Sequence, residues 1–145
     1  MKISHILVPT DFAAASASAL EVGVQMARAF DAKLTLLHVW ELPIYPYMDF
    51  MLNSEIIAEV EDAASKGLAK LLAELQQKLP AARSQLKTGL PWQGILEAID
   101  QLEVDLVVMG THGRQGLSHL TLGSVAEKVV RLSKAPVLTV HAPTA

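Results

Sequence analysis

Five short strand-like runs alternate with four longer segments of helical periodicity along this chain. The runs cover residues 3–9, 33–40, 83–88, 105–109 and 136–140, and the helical segments cover 14–30, 54–79, 92–102 and 124–132. Strands that alternate with helices predict parallel pairing, because each crossover returns the chain to the same end of the sheet. We therefore predict one α/β domain over residues 1–145, a doubly wound three-layer sandwich with a five-stranded parallel sheet.

The composition is that of an ordinary globular domain and excludes several classes of function. Hydrophobic residues make up 51% of the chain and charged residues 19%. Cysteine is absent, which excludes disulfides, cysteine zinc sites and thiol catalysis. The net charge is −3 and no basic block occurs, so we expect no nucleic-acid surface. No apolar run has the length of a signal peptide or a membrane span, which favours a cytoplasmic location without membrane contact.

Two loops are predicted to form a ligand site. Ligands of doubly wound sheets bind at the carboxyl ends of the strands, where the winding reverses. Those positions are Pro9-Thr10-Asp11 after the first strand and the glycine-rich loop that runs from Gly110 to Ser124 after the fourth. Free backbone N–H groups in such a loop, and at the start of the following helix, suit phosphate. The alternative is an ordinary loop in which the glycines only make turns and Ser124 only caps the helix.

The helix after this loop carries its own start signal, and two common phosphate motifs are absent. Ser124-Val-Ala-Glu127 has the spacing of a capping box. No Gly-Lys-Ser/Thr occurs in the loop, which argues against a P-loop NTPase. No Gly-x-Gly-x-x-Gly follows the first strand, which argues against an ordinary dehydrogenase.

The glycine spacing resembles that of a known family. Gly110-x2-Gly113-x9-Gly123-Ser124 matches the ATP-binding signature of the universal stress protein family. The flanking stretches, VVMGTHGRQGLSHLTLGSVAEKVVRLSKAPVLTV and ILVPTDF, are also similar to that family. The resemblance covers the whole chain and is weakest across 41–90. It implies the adenine nucleotide alpha hydrolase-like fold with strand order 3-2-1-4-5.

The resemblance also implies which residues contact ATP. Pro9 and Thr10 would contact the adenosine, Asp11 would accept hydrogen bonds from the ribose, and the backbone of Val39 would meet the adenine edge. The remaining positions surround the ribose and the phosphates, and they are Met109, Gly110, Gly113, Gly123, Ser124 and Val125. A Mg²⁺ or Mn²⁺ ion would be held by the ATP phosphates rather than by a protein cage.

Several polar residues carry more than one interpretation. Asp11 could be a phosphoacceptor or the cap of the first helix. Arg114 could pair with phosphate oxygens or face solvent. His112 and His119 could be a metal pair, but solvated loop histidines are the simpler interpretation, and His112 could also touch a phosphate. The remaining two, His5 and His38, alternate with apolar residues in strands and are expected to be structural.

The last strand and the 41–53 loop are candidate contact surfaces. In the family's strand order the last strand lies at a sheet edge, which is an aggregation liability unless it is paired or covered. The family commonly pairs this edge in a two-fold homodimer, here through Val137, Leu138 and Val140. The 41–53 loop, rich in aromatic residues and methionine, could be a lid, a partner surface or ordinary packing against the second helix.

The function predicted from these features is that of an ATP-binding universal stress protein, a nucleotide-dependent homodimer in stress response or signalling. A slow ATP hydrolase is one alternative, since Arg114 and His112 are available, but no obvious base accompanies them. An ATP-independent dimeric interaction module is the other alternative.

Overall fold

A computed structural model describes residues 1–42, 54–112 and 122–143. The elements in chain order are β1 (His5–Pro9), α1 (Ala14–Phe30), β2 (Lys33–Trp40), α2 (Ser54–Lys78), β3 (Arg83–Thr88), α3 (Pro91–Gln101), β4 (Leu106–Gly110), α4 (Ser124–Leu132) and β5 (Val137–Val140). Every predicted strand and helix is present, and each boundary lies close to its predicted residue. None of these helices is both long and apolar enough to cross a membrane.

The five strands form one parallel sheet in the order β3-β2-β1-β4-β5. This confirms the predicted fold class and strand order. Because β1 pairs with β2 on one side and with β4 on the other, the winding of the chain reverses between β1 and β4. The sheet therefore places its switch point at the carboxyl ends of these two central strands.

Side chains alternate between the two faces of the sheet and divide the core into two layers. Ile6, Val8 and Leu36 pack with α1 and α2 on one face. Leu7 and Val107 pack with α3 and α4 on the other face. Burial on both faces explains why the central strands are apolar throughout rather than alternating in polarity.

The helix boundaries follow from local chemistry. The last turn of α1 closes at Asp31, a left-handed residue with φ 52° whose backbone N–H bonds to the carbonyls of Ala27 and Arg28. Pro91 occupies the first turn of α3, where a missing N–H costs nothing. Pro80 follows α2 and cannot continue it.

His5 stabilises the amino end of the sheet, opposite the switch point. Its Nδ1 donates to the carbonyl of Leu102 at 3.0 Å, and its Nε2 lies 2.8 Å from Thr35 Oγ1. The Asp105 carboxylate accepts the backbone N–H groups of Ser4 and His5 at 2.8 and 3.0 Å. The prediction that His5 is a structural histidine is confirmed.

Candidate functional site

The sequence-predicted residues at the ends of β1 and β4 lie at one edge of the sheet. Parallel neighbours end at the same edge, so Thr10 and Asp11 lie beside Met109 and Gly110. Val39 lies near the end of β2, the next strand along the sheet. The backbone N–H of Thr10 donates to Leu37 at 2.8 Å and continues the pairing of β1 with β2 past the last strand residue.

A chain of hydrogen bonds fixes the turn between β1 and α1. The backbone N–H of Phe12 donates to Thr10 Oγ1 at 3.0 Å, and the Thr10 hydroxyl donates to Ser16 Oγ at 3.2 Å. The Ser16 hydroxyl and the Ala13 N–H both donate to Asp11 Oδ1, at 2.9 and 3.0 Å. Sequence reasoning missed Ser16, whose only signal was a hydroxyl on the inner face of an alanine-rich helix.

The prediction that Asp11 caps α1 is wrong in position. The N-cap residue of α1 is Ala13, whose side chain makes no cap hydrogen bond. Asp11 lies two residues earlier, where its carboxylate holds the turn through the N–H of Ala13. Asp11 therefore shapes the entry to the helix without occupying the cap position.

Phe12 and His38 form a second contact beneath this turn. Phe12 has a left-handed backbone with φ 64°, an uncommon conformation for a bulky residue. Its ring lies 4.4 Å from the ring of His38, centroid to centroid. His38 is 8% exposed, and its Nδ1 donates to the carbonyl of Thr10 at 2.7 Å. His38 is therefore a structural histidine, as predicted, and Phe12 is a second residue that sequence reasoning missed.

The end of β4 touches the first turn of α1 through Gly110. A Cβ atom at Gly110 would lie 2.7 Å from the carbonyl carbon of Ala15 and 2.9 Å from the backbone nitrogen of Ser16. Only a residue without a side chain fits this approach. The close contact brings the turn that carries Thr10 and Asp11 onto the end of β4.

Helix α4 begins with unpaired backbone donors. The N-cap is Gly123, whose N–H donates to the Thr111 carbonyl. Within the ranges that the structure describes, the N–H groups of Ser124, Val125 and Ala126 have no acceptor, and the first helical amide to be paired is that of Glu127, which bonds to Gly123 at 2.9 Å. Such a helix start carries partial positive charge and suits an anion.

The predicted capping box is wrong. Ser124 is the first residue of the helix rather than its N-cap, and the N-cap Gly123 makes no side-chain cap hydrogen bond. Because the N-cap is a glycine, no hydroxyl is available at the position from which it could reach the first-turn amides. The first turn of α4 is therefore left with donors that a capping box would have satisfied.

Thr111 connects the end of β4 to two histidines. Thr111 is 1% exposed, and its Oγ1 lies 3.1 Å from His112 Nδ1 and 3.1 Å from His141 Nδ1. His112 is partly buried, and its Nε2 is buried without a hydrogen-bond partner among the described residues. His112 therefore contacts Thr111 through Nδ1, while part of the residue stays exposed to solvent.

Some of the residues singled out from the sequence lie outside the part of the chain that the structure describes. Gly113, Arg114 and His119 lie outside the described residues, as does 43–53 of the predicted 41–53 loop. No group of three or more histidine or acidic side chains that could hold a metal occurs in the described parts of the chain.

A groove of about 250 Å³ lies between α1 and α2 and borders the turn at Thr10, Phe12 and Ala13. Its other walls are helical and mostly apolar, with Leu20 and Leu71 among them. The donors at the start of α4 belong to the opposite face of the sheet, where α4 packs with α3. The groove is therefore not the space in which the α4 amides would meet an anion.

A parallel sheet in the order β3-β2-β1-β4-β5 with helices on both faces defines a doubly wound α/β domain, a class in which ligands bind at the carboxyl ends of the strands. The family model described as universal stress protein family matches residues 2–141. The chain therefore belongs to the universal stress protein family.

Individual relatives agree with this assignment. A universal stress protein of Methanocaldococcus jannaschii is 32% identical over 95% of this chain and 82% of its own length. The structure of a universal stress protein from Lactobacillus plantarum superposes with a TM-score of 0.82 at 26% identity, covering 97% of this chain and 99% of that one. A universal stress protein solved in complex with cAMP has a TM-score of 0.68 at 25% identity, covering 99% of this chain and 100% of that one.

Proposed function

We propose that this protein binds ATP at the switch point of its sheet, with the phosphates at the start of α4. The observation that carries the proposal is the set of unpaired amides at Ser124 and Val125. Unpaired donors at a helix start with partial positive charge favour a multiply charged anion. The complex of a structural relative with cAMP supports an adenine nucleotide as the ligand class.

The proposed contacts follow the order of the strands along the site. Pro9 and Thr10 contact the adenosine, Asp11 accepts hydrogen bonds from the ribose, and the Val39 backbone meets the adenine edge. Ordered hydrogen bonds at Thr10 and Asp11 support these roles, because they hold both residues in place before a ligand arrives.

The remaining proposed contacts surround the ribose and phosphates. They are Met109, Gly110, Gly113, Arg114, Gly123, Ser124 and Val125. Because the Gly123 N–H already donates to Thr111, the donors proposed here are the amides of Ser124 and Val125 and the Ser124 hydroxyl. In the proposed complex a Mg²⁺ or Mn²⁺ ion is held by the ATP phosphates.

The proposal includes a homodimer formed through β5, in which ATP occupancy is read by other components of a stress or signalling response. β5 lies at one edge of the sheet, and Leu138 is 38% exposed. Val137 and Val140 extend the same apolar strand. Pairing with a second copy would cover this edge. Sedimentation equilibrium is expected to give twice the chain mass of 15.6 kDa, and a monomer would contradict the dimer.

Calorimetry with ATP and Mg²⁺ tests the nucleotide site through Ser124→Asp. A carboxylate at the first helical position is favourable for the helix, so the variant is expected to fold. The same carboxylate repels the phosphates, so ATP binding is expected to weaken by about tenfold or more. Ser65→Asp, at an exposed position in the middle of α2, adds the same charge away from the site and is the matched control.

Wild-type protein and the two variants together test whether ATP binds and whether its phosphates lie at the start of α4. Wild-type protein and Ser65→Asp are expected to bind ATP alike. If wild-type protein shows no binding at millimolar ATP, the nucleotide proposal is refuted and the interaction module replaces it. If Ser124→Asp binds ATP as tightly as Ser65→Asp, the phosphates do not lie at the start of α4.

A further inference from the structure

The Nε2 atom of His112 is a buried polar atom without a partner among the described residues. A buried donor or acceptor without a partner is costly, and most such atoms in folded proteins are satisfied by protein, water or a ligand. Within the described ranges, the atom therefore marks a position at which one hydrogen bond is missing.

The backbone connects His112 to the start of α4 through its neighbour Thr111. Thr111, the preceding residue, accepts the N–H of Gly123 at the start of α4, and its own N–H donates to Val140 at 3.0 Å. His112 thus follows directly on the residue that joins β4 to both α4 and β5. The unpaired amides of Ser124 and Val125 begin one residue after Gly123.

The Thr111 hydroxyl restricts the protonation of the two histidine rings. A hydroxyl carries one proton, so it can donate to only one of the two Nδ1 atoms that lie 3.1 Å away. If it donates to His112 Nδ1, the neutral His112 ring carries its proton on Nε2. His141 must then donate from its own Nδ1 to Thr111 Oγ1.

We propose that His112 is a phosphate contact of the bound nucleotide, donating from Nε2 to a phosphate oxygen. The inference rests on the proposed function. In this arrangement Thr111 donates to His112 and accepts from His141. The opposite tautomer of His112 would present a lone pair to the phosphate, so ligand binding selects the first arrangement. Thr111 thereby couples the phosphate to His141, which is exposed just after the edge strand β5.

Two substitutions at one position separate the Nε2 donor from the rest of the ring. His112→Asn keeps a polar group near Nδ1 and loses the donor at Nε2, whereas His112→Gln brings an amide nitrogen near the Nε2 position. Calorimetry of each variant with ATP and with adenosine, which has no phosphates, reports the phosphate contact. His112→Asn is expected to weaken ATP binding about 10- to 100-fold, as for one hydrogen bond to a charged group, and to leave adenosine binding unchanged.

His112→Gln is expected to recover most of the ATP affinity. His141→Ala, which leaves Nε2 in place and removes the competing ring, is expected to bind ATP no more weakly than wild-type protein. If His112→Asn binds ATP like wild-type protein, or loses ATP and adenosine equally, the phosphate contact is refuted while ATP binding itself stands. Failure of wild-type protein to bind ATP refutes the proposed function and this inference together.

Nitrogen-15 NMR of the imidazole rings tests the same inference in unmodified protein, independently of the folding of any variant. With ATP bound, the His112 spectrum is expected to show a proton on Nε2, and the His141 spectrum a proton on Nδ1. A neutral His112 ring protonated only at Nδ1 in the ATP complex overturns the proposal.

Discussion

Replacing Gly110 with alanine tests whether this glycine of the family signature is required by packing or by the ligand. The added Cβ would lie 2.7 Å from the Ala15 carbonyl carbon, 2.8 Å from the Ala15 Cβ and 2.9 Å from the Ser16 backbone nitrogen. Real Cβ atoms essentially never approach other heavy atoms so closely, and none of these three is the end of a flexible side chain. Either β4 or the first turn of α1 must therefore move.

The expected cost follows from the rigidity of both partners. β4 is paired on both sides, with β1 and β5, and Ser16 is tied to Asp11 by a hydrogen bond. Overpacking a well-packed core costs about 1–3 kcal/mol, and backbone contacts on both sides favour the upper end. For a domain of this size, a loss of about 3 kcal/mol lowers the melting temperature by roughly 6–12 °C.

Urea unfolding followed by circular dichroism measures this loss, and a second substitution tests its cause. Ala15→Gly removes one of the three close contacts but leaves the Ala15 carbonyl carbon and the Ser16 nitrogen in place. The double variant is therefore expected to regain less than half of the lost stability. If Gly110→Ala unfolds within about 0.5 kcal/mol of wild-type protein, the range typical of substitutions that break no packing feature, steric packing does not explain this glycine.

Two further substitutions test the packing around the site, each with a matched control. Gly67→Ala is expected to stabilise the protein by up to about 1 kcal/mol, because a Cβ there would meet the Phe12 ring at an ordinary 3.4 Å and alanine favours helix. Gly94→Ala is its control and is expected to destabilise the protein, because the Val39 side chain would lie 2.8 Å from the added Cβ. Equal shifts of the melting temperature in the two variants would contradict this packing argument. Ser16→Ala is expected to cost about 1–3 kcal/mol, because it removes a buried hydroxyl that donates to Asp11. Ser18→Ala, on the same helix, is its control and is expected to leave the stability unchanged or slightly raised in urea unfolding. If Ser16→Ala is as stable as Ser18→Ala, the Ser16 hydroxyl does not stabilise the turn.

The fold was predictable from sequence because its signals are local and periodic. Apolar runs such as β4 are buried on both faces, and the heptad-like leucines of α2 include the buried Leu68 and Leu75. Strand order is a non-local property, and it followed from the family resemblance rather than from any single segment. Periodicity therefore predicted the elements, and the resemblance predicted their arrangement.

The details of the site were less predictable because they depend on contacts between distant segments. Ser124-Val-Ala-Glu127 has the spacing of a capping box, yet the helix begins one residue earlier in the motif than that spacing assumes. His112 and His141 share Thr111 as a hydrogen-bond partner. Thr111 reaches His141 because β4 and β5 are adjacent in the sheet. No pattern along the chain reports such a contact, since residues 111 and 141 are brought together by strand pairing.

The glycine signature combines two physical requirements that one spacing cannot separate. Gly110 is required by the close approach of α1, so folding alone explains a glycine at this position. Gly123 has φ −60° and ψ 159°, angles that any residue adopts, so its conformation does not require glycine. Under the proposed function, a glycine is needed at position 123 because the ligand approaches the backbone closely there. Gly123→Val is therefore expected to fold like wild-type protein and to lose ATP binding, whereas Gly110→Ala is expected to lose folding stability. Calorimetry with ATP measures the first effect. If Gly123→Val keeps the ATP affinity of wild-type protein, ligand binding does not explain the glycine at position 123.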